Sequence, residues 1–394
     1  MKEVSLYIHI PFCIKKCLYC DFLSFPASEK VQESYFNALL HEIDSYKDKL
    51  SGYSVKSIFF GGGTPSLPNT LWIKRTMDTL RSSYNLTDDC EITMEMNPAT
   101  EAAEKLNIYR KAGINRLSIG LQSTNDTELK KLGRMHDYDT FLKCYEDARQ
   151  AGFDNINIDI MSALPGQSID SYEKTVRRVV QLSPEHISAY SLIIEEGTPF
   201  YDMYGDEAET EYRTGENGDS SYLPTEDEDR QMYELTLKIL EESGYHRYEI
   251  SNYAKKDLEC RHNITYWTRG NYVGFGIGAA SLLENVRWNN TRVLASYTAY
   301  WNDNIGPYED IICDREELDQ KAQMEEYMFL GLRLVEGVSI SKFEEYFGIK
   351  LIDVYNDIVK NFTNEGLLVI NGDKLGLTKK GLDVSNYVMS EFLL

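Results

Sequence analysis

Strand-like and helix-like runs alternate through the first half of this 394-residue chain, and that alternation limits the folds open to it. The strand-like runs are Ser5–Pro11, Ser57–Phe60, Glu91–Met96, Arg116–Leu121, Asn155–Met161 and His186–Ile194. Amphipathic stretches lie between them at Glu29–Leu50, Leu71–Ser83, Thr100–Ala112, Tyr138–Ala151 and Ser171–Leu182. Gly113 and Gly152 follow helical runs, where a C′ glycine ends a helix, and Asp170 is a candidate N-cap. Repeated β-α units with mostly apolar strands predict an α/β fold, a parallel sheet covered by helices. Six units predict an open, partial (β/α)6 barrel rather than a closed eight-stranded one.

Reactive residues of such folds sit at the C-terminal ends of strands and in the loops that follow. The polar motifs fall there. Cys13, Cys17 and Cys20 follow the first strand and Gly61-Gly62-Gly63-Thr64-Pro65 the second. Glu95-Met96-Asn97-Pro98 ends the third, Gln122-Ser123 ends the fourth, and Asp159 lies in the fifth, before Leu164-Pro165-Gly166-Gln167. Each run alone is a weak signal. A sheet used only for packing has no need of five polar ends in register.

The cysteines are spaced C-x3-C-x2-C in YIHIPFCIKKCLYC. Three thiolates in one loop can hold three irons of a cubane cluster and leave the fourth without a protein ligand. Iron–sulfur clusters normally take four cysteines, and Cys90 could close the set. A zinc site would need His9 as fourth ligand, but His9 lies on the strand and no second Cys/His cluster follows. The other cysteines, Cys90, Cys144, Cys260 and Cys313, are scattered as buried small hydrophobes would be.

A net charge of −22 argues against general nucleic-acid binding. About half of that excess lies in Asp202–Asp229, with eleven acidic residues and one basic, which reads as a solvated insertion. No apolar run is long enough for a membrane-spanning helix, and no signal peptide is evident, so a cytoplasmic protein is expected.

The cysteine loop, with Tyr19 before its last cysteine, resembles that of the radical S-adenosylmethionine (SAM) superfamily, and Gly61–Pro65 resembles its methionine-binding run. The resemblance implies a radical-SAM barrel with a 4Fe–4S cluster on Cys13, Cys17 and Cys20, whose open iron is chelated by SAM. Electron transfer into the sulfonium then releases a 5′-deoxyadenosyl radical. It also implies SAM contacts for Tyr7, Tyr19, Gly62, Gly63, Thr64, Glu95, Gln122, Arg134 and Asp159. Glu95 and Gln122 touch a second SAM in some relatives, so one or two sites stay open. One departure is visible: Ala163 and Ser162 stand where the family pattern DLIYGLPGQ has a glycine and an aromatic residue.

Across nearly its whole length the chain is similar to the oxygen-independent coproporphyrinogen III oxidase-like group, and within it to the heme chaperones. SLYIHIPFC, FFGGGTPS, MEMNP, RLSIGLQS and LPGQ carry the likeness. His262-Asn263-Ile264-Thr265-Tyr266-Trp267 matches the HNxxYW motif that separates chaperone from oxidase. Phe22 stands where true oxidases carry a further cysteine. The resemblance implies heme as a further ligand, with His262, Tyr266 and Trp267 as contacts, since imidazole ligates heme iron and aromatics pack on its ring. It implies delivery of heme to recipient hemoproteins, respiratory ones among them, without coproporphyrinogen oxidase activity. Oxidative decarboxylation of coproporphyrinogen III is the alternative. A homodimer and a peripheral seat at the membrane are left open. The expected organisation is a core over 1–240 with the insertion at 202–229, an extension over 241–308 carrying HNxxYW, and a C-terminal domain over 309–394. That last domain reads as helix-rich and winged-helix-like, with a hairpin turn at Asn371-Gly372-Asp373.

Overall fold

The computed structural model describes residues 1–100, 103–209 and 222–394. Six parallel strands lie side by side in chain order: β1 (Lys2–Ile10), β2 (Tyr53–Gly62), β3 (Asn85–Met96), β4 (Arg116–Gln122), β5 (Ile156–Ser162) and β6 (His186–Ser191). The connecting helices are α1 (Glu29–Ser45), α2 (Thr70–Ser83), α3 (Ala103–Ala112), the short α4 (Asp126–Lys131), α5 (Tyr138–Gln150) and α6 (Ile169–Leu182).

The strands alternate in character. Leu6, Ile8 and Ile10 of β1, Ile58 and Phe60 of β2, and Leu117, Ile119 and Leu121 of β4 join one apolar core with Phe36, Leu39, Ile73 and Met77 of the helices. The intervening residues are polar: Ser5 and His9, Ser57, Glu91 and Thr93, Arg116 and Ser118, Asn157, His186 and Ser188 are all buried. They bond to one another across strands, as in Ser57–Ser5, Asn157–Ser118 and His186–Asn157. Period two thus assigns one face of the sheet to the helices and the other to a polar interior.

Local signals set the helix ends. Gly113 and Gly152 take φ values of +98° and +86°, as C′ glycines do. The cap of α6 is not Asp170 but Ser168, in extended conformation, whose side chain accepts from Ser171 N; Asp170 sits in the first turn. The acidic stretch is also more ordered than a solvated loop at both ends. Helix α7 (Pro199–Glu209) takes up its start, and α8 (Glu226–Glu242) places four acids in its first turn, beneath a Thr225/Glu228 capping box. Residues 210–221 lie outside the described residues.

The sheet continues past the six units to twelve strands. Strands β7 (His246–Arg247) and β8 (Asn252–Ala254) extend the β6 edge. Helix α9 (Arg261–Trp267) follows, and β9 (Tyr272–Phe275) then pairs in parallel with β1. Strands β10 (Ala280–Leu283), β11 (Val286–Asn290) and, after α10 (Leu294–Asp303), β12 (Ile312–Glu317) complete that edge. β12 lies beyond residue 309 yet still belongs to the large sheet. The remainder packs around its own core: α11 (Gln320–Gly331), β13 (Val338–Ser339), α12 (Ile340–Phe347), α13 (Leu351–Asn364), β14 (Leu368–Asn371) and β15 (Lys374–Leu377). β14 and β15 turn at Gly372, φ +59°, with Asn371 opposite Lys374.

Candidate functional site

The C-terminal ends of β1–β5 and the cysteine loop enclose a cavity of about 140 Å³. Cys13, Cys17, Tyr19, Cys20, Gly62, Gly63, Thr64, Glu95, Gln122, Arg134 and Asp159 all line it. Eleven of the expected residues, from six separate chain segments, therefore meet at one place. Tyr7 does not line it. Its hydroxyl is turned to His9 Nδ1 at 3.1 Å.

Close backbone approach holds the loop. Gly63 N donates to Ile10 O and Thr64 N to Phe12 O, both at 2.8 Å. A Cβ on Gly63 would lie 2.8 Å from Phe12 O and 3.0 Å from Cys13 Sγ, so β2 and the loop touch only because this residue has no side chain. Gly62, at φ +113°, donates to Glu95 Oε2 at 3.1 Å. The amides of Gly62, Gly63 and Thr64 are thus all engaged with the chain, and the run presents no bare row of N–H donors.

The three cysteines are free thiols, half-buried, with Thr64 Oγ1 3.5 Å from Cys13 Sγ and Arg134 donating to Cys17 Sγ at 3.6 Å. Among the described residues no group of three or more His, Cys, Asp or Glu side chains converges as a single metal ion would need. A cluster takes one thiolate per iron and spreads its ligands wider. His9 is unsuited to zinc, because both ring nitrogens are engaged: Nε2 is 2.9 Å from Leu23 O and Nδ1 is 3.1 Å from the Tyr7 hydroxyl. Three free thiols at one mouth, next to Lys15, Lys16 and Arg134, fit a cluster held by three thiolates.

Two carboxylates form the floor. Burial first, then Asp159, pushes Glu95 up to about 8, while the bond from Gly62 N works the other way. Asp159 is likewise raised by burial, against donation from Asn157 Nδ2 at 2.7 Å and Ser118 Oγ at 3.3 Å. Arg134 is half-buried beside them. Burial opposes its charge, but neighbouring Tyr19 and Cys17 outweigh that and raise its pKa. It donates to Gly120 O at 2.6 Å, and its buried Nε has no partner. Two half-buried carboxylates, both desolvated and one raised further by the other's charge, make a floor that favours a cation. An ammonium or sulfonium fits that demand. Gln122 reaches the floor from a β-bulge at φ +71°, a left-handed conformation costing about 1–2 kcal/mol outside glycine. Ala163 is left-handed as well, φ +57°, at the position where the family pattern has glycine.

His262, Tyr266 and Trp267 do not line this cavity; they lie on α9, where His262 meets Ser57 and Phe59 of β2 and Tyr7 of β1. His262 is 1 % exposed and stacks on Phe59 at 5.1 Å. Its Nδ1 meets Ser57 Oγ and its Nε2 meets Tyr266 OH, both at 2.9 Å, and burial lowers its pKa to about 3. Neither nitrogen is open to an iron in this arrangement. Glu91 holds the start of α9 by accepting from Cys260 Sγ, Arg261 N and His262 N. The sequence reading missed Glu91, Arg116, Ser118 and Asn157, which the period-two polar pattern marks.

A parallel sheet with a three-thiol loop and a carboxylate floor at its strand ends is the arrangement of a radical SAM protein. The family model "Radical SAM superfamily" matches residues 7–179, and "HemN C-terminal domain" matches 318–384. The chain is 36 % identical over 390 residues to "Heme chaperone HemW" of Bacillus subtilis, covering 99 % of both chains. It is 33 % identical to the protein of that name in Escherichia coli, covering 100 % of this chain and 99 % of the other. The chain belongs to the heme chaperone HemW family. Its fold is that of coproporphyrinogen III oxidase (HemN) from Escherichia coli, with a TM-score of 0.83 at 23 % identity, over 100 % of this chain and 90 % of that one.

Proposed function

We propose that this protein binds heme and hands it to recipient hemoproteins, with a 4Fe–4S cluster and SAM held at the strand-end site. The observation that carries this reading is the full-length match, at 33 % identity or more, to proteins named heme chaperones. Cys13, Cys17 and Cys20 would hold the cluster, which when bound supplies electrons for reductive cleavage at a sulfonium. Glu95 and Asp159 accept from the ligand's ammonium and ribose hydroxyls, and an arriving cation lets Glu95 give up the proton that burial makes it keep. Arg134 pairs with a carboxylate. Gln122 and Tyr19 wall the space, and Gly62, Gly63 and Thr64 keep β2 close enough for the loop to close over it. Tyr7 acts from behind, through His9.

His262, Tyr266 and Trp267 stay in this proposal as the elements that connect the site to heme. For His262 to ligate iron, α9 must first give up the Ser57 and Tyr266 bonds. We take the division into 1–240, 241–308 and 309–394 as the working one, with β12 kept by the large sheet. A cytoplasmic protein meeting respiratory recipients at the membrane surface, alone or as a homodimer, accords with the reading. No described helix is long and apolar enough to cross a membrane.

The completeness of the strand-end site favours a second reading, oxidative decarboxylation of coproporphyrinogen III. Phe22, 66 % exposed where oxidases carry a cysteine, opposes it. The test is anaerobic reconstitution followed by two assays on one sample. Heme binding with transfer to an apo-hemoprotein, and no protoporphyrinogen IX formed, is expected. Robust conversion without heme binding would overturn the chaperone reading.

A further inference from the structure

The far side of α9 borders another space. A cavity of about 750 Å³ lies between α9, β7 and the C-terminal core, several times the size of the cavity at the cysteine loop. Its volume falls within the roughly 300–1,000 Å³ of small-molecule sites. Ile264, Trp267, Leu334, Val335, Val338 and Tyr346 give it an apolar and aromatic wall. The two bodies that form it are joined by backbone, through Val335 N donating to Tyr248 O at 3.0 Å and a bridge between Glu249 and Leu334.

Charge narrows the class of ligand. Three carboxylates border the cavity, and each has a partner. Glu259 lies 2.6 Å from His246 Nε2, Glu336 lies 3.4 Å from Lys374 Nζ, and Asp373 accepts from the Ser339 and Ser341 hydroxyls. The Glu336–Lys374 pair is solvent-facing, with Glu336 82 % exposed, and such pairs exchange at little cost. Lys342 also lines the cavity and forms no ion pair among the described residues. A large apolar slot with two lysines that can turn to a ligand suits a flat hydrophobic ring carrying carboxylates.

We infer that this cavity takes the tetrapyrrole, its ring against Trp267 and the aliphatic wall and its two carboxylates on Lys342 and Lys374. The inference rests on the proposed heme function and supplies a place for it. It sets α9 as a wall shared by two sites. His262 and Tyr266 face the polar interior, while Ile264, Trp267 and Thr268 face the cavity. Recognition through ring and carboxylates does not call on iron, so a metal-free porphyrin binds as well.

The full-length protein is titrated with hemin and with metal-free protoporphyrin IX, beside the variant Lys342→Glu/Lys374→Glu and the milder Lys342→Gln/Lys374→Gln. Thermal unfolding confirms that each variant is folded, and the Gln pair decides if the Glu pair is not. The expected result is binding of both porphyrins by the wild type, with Kd for both raised at least tenfold in the Glu pair and at least threefold in the Gln pair. Smaller changes for either porphyrin overturn the site, as does a wild type that binds hemin but not protoporphyrin. A wild type that binds neither overturns the heme function itself, and the site with it.

Discussion

At the scale of single residues, two desolvated titratable groups carry opposite pH signatures. Glu95 is held near 8 in the folded chain, against about 4.3 in an unfolded one. Below about pH 4 both states keep the proton, so Glu95 costs nothing. As pH rises towards 8 only the unfolded chain releases it, and folded stability falls across that window. Glu95→Gln keeps an acceptor for Gly62 N and removes the titration. Its stability relative to wild type should therefore improve by about 2–4 kcal/mol between pH 5 and 8, at about 1.4 kcal/mol for each tenfold difference in proton affinity, discounted for coupling to Asp159. Urea unfolding of the cofactor-free protein at several pH values measures this, and a difference that stays flat with pH would refute it. His262 runs the other way. Its folded value near 3 lies below the ordinary 6.5, so stability is full above about pH 6.5 and is lost as pH falls towards 3. His262→Ala takes the His262 partner from Tyr266 OH, leaves Ser57 Oγ with Ser5 alone, and opens a cavity against Phe59, which should cost about 2–4 kcal/mol at neutral pH. The variant should also lose less stability on acidification than wild type. Denaturant midpoints at pH 7.5 and 5.5 check both parts. A loss of heme binding in this variant must be weighed against that structural cost.

At the scale of elements, β2 and the cysteine loop act as one unit because Gly63 admits contact. Gly63→Ala places a Cβ 2.8 Å from a backbone oxygen of that loop, and a backbone neighbour cannot swing aside as a flexible side chain can. The variant should fold, since the strand cores are untouched, but hold less than half the iron and sulfide of wild type after reconstitution. Normal cluster loading would show that the loop adapts. This junction was legible in the sequence, because a glycine run at a strand end and a cysteine loop after the previous strand both have local signatures. So were β1–β6 and the helix-ending glycines. The polar interior was legible in principle and overlooked. Reading the strands as mostly apolar hid the alternation Ser5-Tyr7-His9, Glu91-Thr93-Glu95 and Arg116-Ser118-Gly120, which marks a two-faced sheet. The place of α9 was not legible. Nothing local in HNITYW says that its histidine meets Ser57, 205 positions away in the chain, or that Glu91 holds its first turn. Such contacts follow only from how β9 returns to pair with β1.

At the scale of the whole molecule, the two large apolar cores are joined by several polar contacts, and Glu326 makes two of them. It lies on α11 with 5 % of its side chain exposed, and it accepts from Arg269, just past α9, at 2.9 Å and from Arg287 of β11. Its two arginines come from the large sheet's side and it comes from the C-terminal side, so the triad fastens one core to the other beside the large cavity. Removing the carboxylate's charge leaves Arg269, 11 % exposed, without its partner, whereas Arg287, 37 % exposed, stays solvated, so the cost should sit at the low end of the buried-pair range, about 3 kcal/mol. Glu326→Gln keeps the shape and removes the charge. The penalty should fall on the junction rather than on either core, since Glu326 pairs across the two, with Arg269 and Arg287, and not within its own side. Unfolding should then separate into two transitions where wild type shows one, and limited proteolysis should cut first between β12 and α11. If the large cavity holds a porphyrin, the same variant should also bind it more weakly while still loading its cluster normally. A single unshifted transition would show that Val335–Tyr248 and Arg230–Asp383 hold the cores together without the triad.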